Sequence, residues 1–412
     1  MSFAALWESL LPIGRDRVSG GYRRFSWTPE DAACRAWFTQ AAAERDLRVL
    51  TDNNGNLWAW WDPPGLAPGP AVAGGTQAVV TGSHLDSVPD GGAFDGPLGI
   101  VSAFAAIDQL RERGRLPVRP LGIAAFSEEE GARFGVACLG SRLLAGAIDP
   151  ATARALADAA GITLGEAMAA AGHDPDGIGP GDDLLAAVGA YVELHIEQGR
   201  ALADLGAAIA VGEQIWPHGR WRLDFTGRPD HAGTATLPDR RDPMLPFAAA
   251  VLAARQAAAS HGARATVGKV TAEPGAVNAV SARVSAWLDA RAPDERILQT
   301  VVGEVLAAAR EAAAGQGVEL AAEPESVTPA VVFDQGLRDM LTSSLAKQGI
   351  QAPLLPTGAG HDAGVLSARV PAAMLFVRNP TGVSHSPEEH AEESDAQLGV
   401  EALTAVIRRM AG

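Results

Sequence analysis

Apolar positions recur at helical spacing from the first residues, where Phe3, Leu6, Trp7, Leu10 and Leu11 fall on one face. A second helix is signalled by Thr28-Pro29-Glu30-Asp31, which supplies an N-cap residue, a first-turn proline and early acids. Two strand-like runs follow at residues 47–50 and 57–61, and Asn54-Gly55 between them is a hairpin signal. Residues 62–75 are rich in Pro, Gly and Ala and read as a surface loop. Beyond them short apolar runs alternate with helical stretches. Strands are predicted at 78–81, 121–126, 191–195 and 372–377, and a helix at 99–113. This alternation predicts an α/β fold, a mixed sheet flanked by helices. The middle of the chain is patterned differently. Strands at 220–226, 265–271 and 284–289 accompany Ala-rich helices near 243–260 and 293–314. The expected organisation is a catalytic domain of residues 1–212 and 327–412, interrupted by an α+β domain of residues 213–326.

Charge and composition narrow the function classes. The 412 residues carry 33 Lys+Arg against 49 Asp+Glu, a net charge of -16, which disfavours nucleic acid or an anionic membrane as partner. No apolar run reaches the roughly 18 residues of a membrane span. The opening residues lack a basic segment and carry Glu8 within their apolar stretch, so no signal peptide is expected. A cytoplasmic enzyme is the expectation. Cys34 and Cys138 are too few for a disulfide framework or a structural zinc cluster.

The chemistry-bearing residues follow the predicted strands. Gly82-Ser83-His84-Leu85-Asp86 follows the first, Ser127-Glu128-Glu129-Glu130-Gly131 the second, and the third runs into His195-Ile196-Glu197-Gln198-Gly199. The last leads to Ser384-His385-Ser386, and Asp95 lies in a glycine-rich turn. In open α/β sheets the carboxyl ends of the strands line the ligand crevice. A lone histidine is more often a satisfied polar residue than a ligand, and a glutamate run is more often a solvated face. Four such groups at strand ends are harder to place on a surface, because buried acids and histidines cost several kcal/mol each unless paired or metal-bound. A pair of divalent cations supplies that compensation. The chain has no His-Glu-x-x-His, no Gly-x-Ser-x-Gly, and no phosphate-loop spacing around Gly268-Lys269.

These motifs resemble the dinuclear metal amidohydrolases that cleave N-carbamoyl amino acids, ureidopropionate and allantoate, a branch of the aminoacylase and carboxypeptidase superfamily. The resemblance rests on His84-Leu85-Asp86-Ser87-Val88-Pro89, Gly92-Ala93-Phe94-Asp95-Gly96-Pro97-Leu98-Gly99, Glu128-Glu129-Glu130-Gly131-Ala132-Arg133-Phe134-Gly135 and Glu193-Leu194-His195-Ile196-Glu197-Gln198-Gly199. It continues through His231-Ala232-Gly233-Thr234, Pro274-Gly275-Ala276-Val277-Asn278, Asp289-Ala290-Arg291, Gly358-Ala359-Gly360-His361-Asp362-Ala363 and Ser384-His385-Ser386. A histidine at 195, and a short spacing between His84 and Asp95, resemble the carbamoyl-cleaving branch and not the peptidases.

The resemblance implies the following roles. Asp95 bridges two divalent metal ions per subunit, zinc, manganese, cobalt or nickel. His84 and His195 complete one metal, and Glu130 and His385 the other. Asp86 hydrogen-bonds the far nitrogen of His84. A metal-bridging hydroxide attacks the carbamoyl or ureido carbon while Glu129 serves as general base and then acid. Glu128 is structural. A non-proline cis peptide is expected at Asp95, eased by Gly96. Arg291 clamps the substrate carboxylate. Gln198, Asn278 and backbone groups around Gly358 and Gly360 bind substrate, and His231 stabilises the oxyanion from across a homodimer interface, so the inserted domain acts as a lid. His173, His218, His261 and His390 match no motif role. The implied activity is hydrolysis of a small anionic ureido or carbamoyl substrate. An N-acyl-amino acid or dipeptide hydrolase of the same superfamily is the alternative, and a non-catalytic binding protein is disfavoured because Glu129 and all five ligands are present.

Overall fold

A computed structural model describes residues 2–62 and 77–412. The stretch expected as a surface loop lies, apart from Asp62, outside the described residues. The chain divides into two compact units, Met1–Glu213 with Val332–Gly412, and Gln214–Val331.

The first unit is built on a nine-stranded sheet. Four strands run parallel side by side in the order Leu121–Phe126, Ala78–His84, Val188–Ile196 and Ala372–Val377. Every residue of Ala78–His84, Leu121–Phe126 and Ala372–Val377 is buried, as expected of parallel strands covered on both faces. Their continuous apolar runs, in place of alternation, follow from that double burial. On one side Leu57–Trp61 pairs antiparallel with Leu121–Phe126 and forms the Asn54-Gly55 hairpin with Arg48–Thr51. On the other, Ile209–Ile215 pairs antiparallel with Ala372–Val377, so the sheet is mixed.

Helices Pro97–Glu112 and Glu393–Ala411 bring Leu98, Val101, Phe104, Leu403 and Val406 into one core with Val192, Leu194 and Leu375 of the sheet. Helix Pro29–Ala43 starts as its sequence indicates, with the Thr28 hydroxyl accepting from the Asp31 N–H. A lobe of short helices, Leu139–Ala145, Pro150–Arg154 and Leu164–Ala170, packs Leu139, Leu143, Leu164 and Met168 together.

The second unit is a four-stranded antiparallel sheet in the order Glu319–Thr328, His218–Thr226, Arg283–Arg291, Arg264–Glu273. Helices Met244–His261 and Glu295–Gln316 carry Ala250, Ala254, Val301 and Val305 into a core with Leu223, Phe225, Val284 and Leu288 of the sheet. Glu319–Thr328 was not anticipated. It holds Pro324 and three glutamates, and as an edge strand it tolerates both. The unit therefore continues through this strand to Val331 instead of ending at 326. Among the described residues no helix is long and apolar enough to cross a membrane.

Candidate metal centre

Each of the four parallel strands delivers a residue to the same end of the sheet. His84 is the last residue of its strand, and His195 is next to last in Val188–Ile196. Ser127–Glu130 follow Leu121–Phe126, and His385 lies in the loop after Ala372–Val377. Asp95 sits in the turn before helix Pro97–Glu112. That turn requires Gly96: its φ is +84°, and a Cβ there would lie 2.5 Å from the His84 ring.

The donor atoms converge on the two oxygens of Asp95. The Nε2 atoms of His84 and His195 lie 3.5 and 3.2 Å from its Oδ1. The His385 Nε2 lies 3.5 Å from its Oδ2 and 3.4 Å from the Glu130 Oε2. Two groups of candidate metal-ligating residues therefore share one carboxylate: His84, Asp95 and His195, and Asp95, Glu130 and His385. Glu129 belongs to neither group, and its Oε2 is 3.6 Å from the His84 Nε2.

The donor set fits metal ions on independent grounds. The Nδ1 of His84 donates to the Asp86 carbonyl at 3.1 Å, and that of His195 to the Ile196 carbonyl at 2.8 Å. A carbonyl can only accept, so Nδ1 of each ring holds a proton and Nε2 is the atom turned toward Asp95. Both Nε2 atoms are buried without a hydrogen-bond partner and face a carboxylate. A metal ion between ring and carboxylate would satisfy both, with the neutral ring as its nitrogen donor. Two ligands about 2.1 Å from a tetrahedral metal are about 3.4 Å apart, close to the spacings found here.

Electrostatics describe the same need for positive charge. Burial, with Asp95 adding to it, pushes the Glu130 carboxyl well above its ordinary range. Burial also pushes Glu129 up to about 7, with Asp86 and Asp95 reinforcing the shift and His84 opposing it. For Asp95 burial is outweighed by contacts with His195 and His84, which hold it well below the usual carboxylate value.

The glutamate loop is held by several unrelated contacts. Glu128 adopts φ +55°, and its Oε1 accepts from the N–H groups of Arg133 and Phe134. The Asp86 carboxylate accepts from the N–H groups of Glu129 at 3.2 Å and Glu130 at 3.0 Å. The Cys138 thiol donates to the Glu129 Oε1 at 3.1 Å.

The far nitrogen of His84 faces Asp86 twice, at 3.1 Å from its backbone carbonyl and 3.5 Å from its carboxylate, which also serves the glutamate loop. A backbone carbonyl reaches the ring because the chain turns back directly after the strand. The peptide at Asp95 is not cis: among the described residues the one cis bond is Glu273–Pro274. The positive φ of Gly96 makes the turn instead.

The remaining expected residues are placed as follows. Gln198 donates to the Asp95 Oδ2 at 2.8 Å, so its amide faces the shared carboxylate. In the second unit His231 pairs with Ala279 across a two-stranded ribbon, and the Asn278 carbonyl accepts from the Ala232 N–H, which brings His231 and Asn278 together on an exposed surface. The Arg291 guanidinium meets Asp289 through Nε at 2.9 Å and Nη2 at 3.3 Å. Gly358 and Gly360 lie in the loop between strand Leu354–Thr357 and helix Asp362–Leu366. Sequence reasoning passed over His361, which is buried, has its Nε2 without a partner and sits 4.5 Å from the His195 ring. It also passed over Glu193, which accepts from the Ser83 hydroxyl and the Ala363 N–H beneath the site. Both were quoted in motifs, and their burial beside histidines was the missing signal.

Residues 80–409 match Peptidase family M20/M25/M40. The chain belongs to this family. Its M20 sequence is 34% identical to the N-carbamoyl-L-amino acid amidohydrolase of Geobacillus stearothermophilus, over 98% of both chains. It is 32% identical to the allantoate amidohydrolase of Bacillus subtilis, over 96% of this chain and 94% of that one. A crystal structure of an amidase of the hydantoinase/carbamoylase family from Burkholderia multivorans matches with a TM-score of 0.85 at 29% identity, covering 100% of this chain and 98% of that one. This M20 chain is therefore a hydrolase of carbon–nitrogen bonds other than peptide bonds, in a metal-dependent family.

Proposed function

We propose that the chain hydrolyses the carbamoyl or ureido C–N bond of a small carboxylate-bearing substrate, such as an N-carbamoyl-L-amino acid or allantoate, with two divalent metal ions per subunit. The observation that carries this reading is Asp95, whose Oδ1 faces His84 and His195 while its Oδ2 faces His385 beside Glu130. In this reading His84, His195 and Asp95 hold one ion, and Asp95, Glu130 and His385 the other. Divalent cations there would supply Lewis acidity, bringing the pKa of a bound water down toward neutrality. Zinc, manganese, cobalt and nickel all suit such nitrogen and oxygen donors.

Glu129 takes the proton from the attacking water and returns it to the leaving nitrogen. Its Oε1 is occupied by the Cys138 thiol, which leaves Oε2 on the side of His84 for this work. Asp86 holds the N–H groups of both glutamates, so base and ligand keep a fixed spacing. Arg291, already oriented by its two contacts to Asp289, is the clamp for the substrate carboxylate. Asn278, whose carbonyl accepts from the Ala232 N–H beside His231, and His231 itself act on the carbonyl oxygen, with His231 serving the site of a second subunit in a homodimer. Gln198 and the backbone at Gly358 and Gly360 complete the substrate contacts. A local arginine clamp also answers the net charge of -16, which otherwise repels an anionic substrate.

The test is an ammonia-release screen over allantoate, ureidopropionate and N-carbamoyl-L-amino acids, repeated with each of the four metals, beside N-acetyl amino acids and dipeptides. Ammonia from at least one ureido or carbamoyl acid is expected. Free amino acid from the acylated compounds, without ammonia from any ureido acid, would move the chain to the acylase reading.

A further inference from the structure

Glu389 lies four residues after His385 and is buried, 4% exposed. Its Oε1 accepts two backbone N–H groups, those of Phe94 and Asp95, each at 2.9 Å. Its Oε2 lies 3.4 Å from the Ser384 hydroxyl, which itself lies 3.5 Å from the Asp95 Oδ2. The preceding turn is shaped around this carboxylate: a Cβ on Gly92 would come within 2.4 Å of the Glu389 Oε1. One side chain thus ties the turn that carries Asp95 to the loop that carries His385.

The two halves of the centre are built differently. His84 and His195 are buried strand residues whose rings are fixed by backbone carbonyls. The His385 side chain is 50% exposed, and its backbone holds φ +56° in a loop. A non-glycine residue in that left-handed region is strained and persists only where surrounding contacts enforce it. Glu389 supplies such a contact at close range.

We propose that Glu389 is a positioning residue that latches the His385 loop to the Asp95 turn and thereby sets occupancy of the metal position formed by Asp95, Glu130 and His385. The proposal rests on the reading of Asp95 as the shared ligand. It concerns hydrogen-bond geometry: an amide oxygen at this position can accept the same two N–H groups, whereas a methyl group cannot. Outer contacts of this kind typically change metal affinity by about 10- to 100-fold when removed.

The experiment titrates metal-stripped protein with Mn2+ and reads stoichiometry and affinity by calorimetry and elemental analysis, for wild type, Glu389→Ala, Glu389→Asp, Glu389→Gln and Asp95→Asn. Thermal unfolding reports whether each variant folds. Glu389→Ala is expected to keep one tight site and weaken the other by about 10- to 100-fold. Glu389→Asp, which withdraws the acceptor by one methylene, should follow it if the alanine variant does not fold. Glu389→Gln should stay close to wild type. Wild-type titration of the alanine and aspartate variants, or equal weakening in the glutamine variant, overturns the proposal. Retention of both sites in Asp95→Asn overturns the underlying reading of Asp95 instead.

Discussion

Replacing Asp86 with alanine separates two accounts of this aspartate. Its carboxylate accepts from the N–H groups of Glu129 and Glu130, at 3.2 and 3.0 Å, in a buried position. Alanine leaves both donors without a partner. An unsatisfied buried donor costs about 1–3 kcal/mol, so the pair amounts to about 2–6 kcal/mol. The loop can relieve that cost by moving Glu129 and Glu130 toward other acceptors. A shift of about 1 Å in a catalytic group can lower turnover by about 100-fold. The His84 ring keeps its contact with the Asp86 backbone carbonyl, which every residue at this position retains, and loses only a carboxylate 3.5 Å away.

The expected outcome is therefore specific. Asp86→Ala should keep the metal held by His84, Asp95 and His195, weaken the one held with Glu130, and lose about two orders of magnitude in turnover. Asp86→Asn keeps one acceptor oxygen and turns an amide donor toward the other N–H, so it should fall between alanine and wild type. Metal content, steady-state ammonia release and denaturant unfolding are measured on the same preparations. Loss of both metals would show that the carboxylate acts mainly on His84. Wild-type turnover in the alanine variant would show that the glutamate loop is held without Asp86 and refute the reasoning.

Further outcomes follow from the same geometry. Glu129→Gln should retain both metals while turnover falls by about 10²- to 10⁴-fold; Glu130→Gln should lose metal, and the reverse pattern means the two roles are exchanged. Arg291→Lys gives up a bidentate contact and should weaken carboxylate-bearing substrates by about 2–3 kcal/mol, read as a raised KM; an unchanged KM removes Arg291 from substrate binding. Chelation should lower the unfolding temperature, since a ligand at a thousandfold excess over its Kd stabilises the folded chain by about 4 kcal/mol. An unshifted melt after verified metal removal would show that Asp95, Glu129 and Glu130 are tolerated in the fold without cations.

Legibility in the sequence followed the kind of partner each residue has. The parallel strands were readable because burial on both faces demands continuous apolar runs, and residues at their ends could be assigned to one crevice. The short helices of the lobe carried readable signals that were passed over: Thr163 and Glu166 form a capping box, and Asp149 caps a helix beginning at Pro150. Strand Glu319–Thr328 was hidden by Pro324 and its glutamates, which argue against a central strand but not an edge.

The supporting residues were the least legible part, for a physical reason. Asn56 accepts from the Ser127 N–H at 3.0 Å and donates to the Gly140 carbonyl at 3.2 Å, so it closes the segment carrying both functional glutamates. Glu389 and Asp86 likewise bind backbone N–H groups. Almost every residue offers such a group, so no pairing of residue types marks these contacts, and a hydrogen bond spanning 294 positions leaves no local pattern. Metal ligands are different, because histidine and carboxylate are scarce chemistries whose burial needs a reason. The sequence therefore exposes the candidate ligand atoms and conceals those that hold them in place. It follows that substitutions at Asn56 and Glu389 should shift metal affinity and turnover with no ligand altered, an effect that inspection of the motifs alone would assign to no residue.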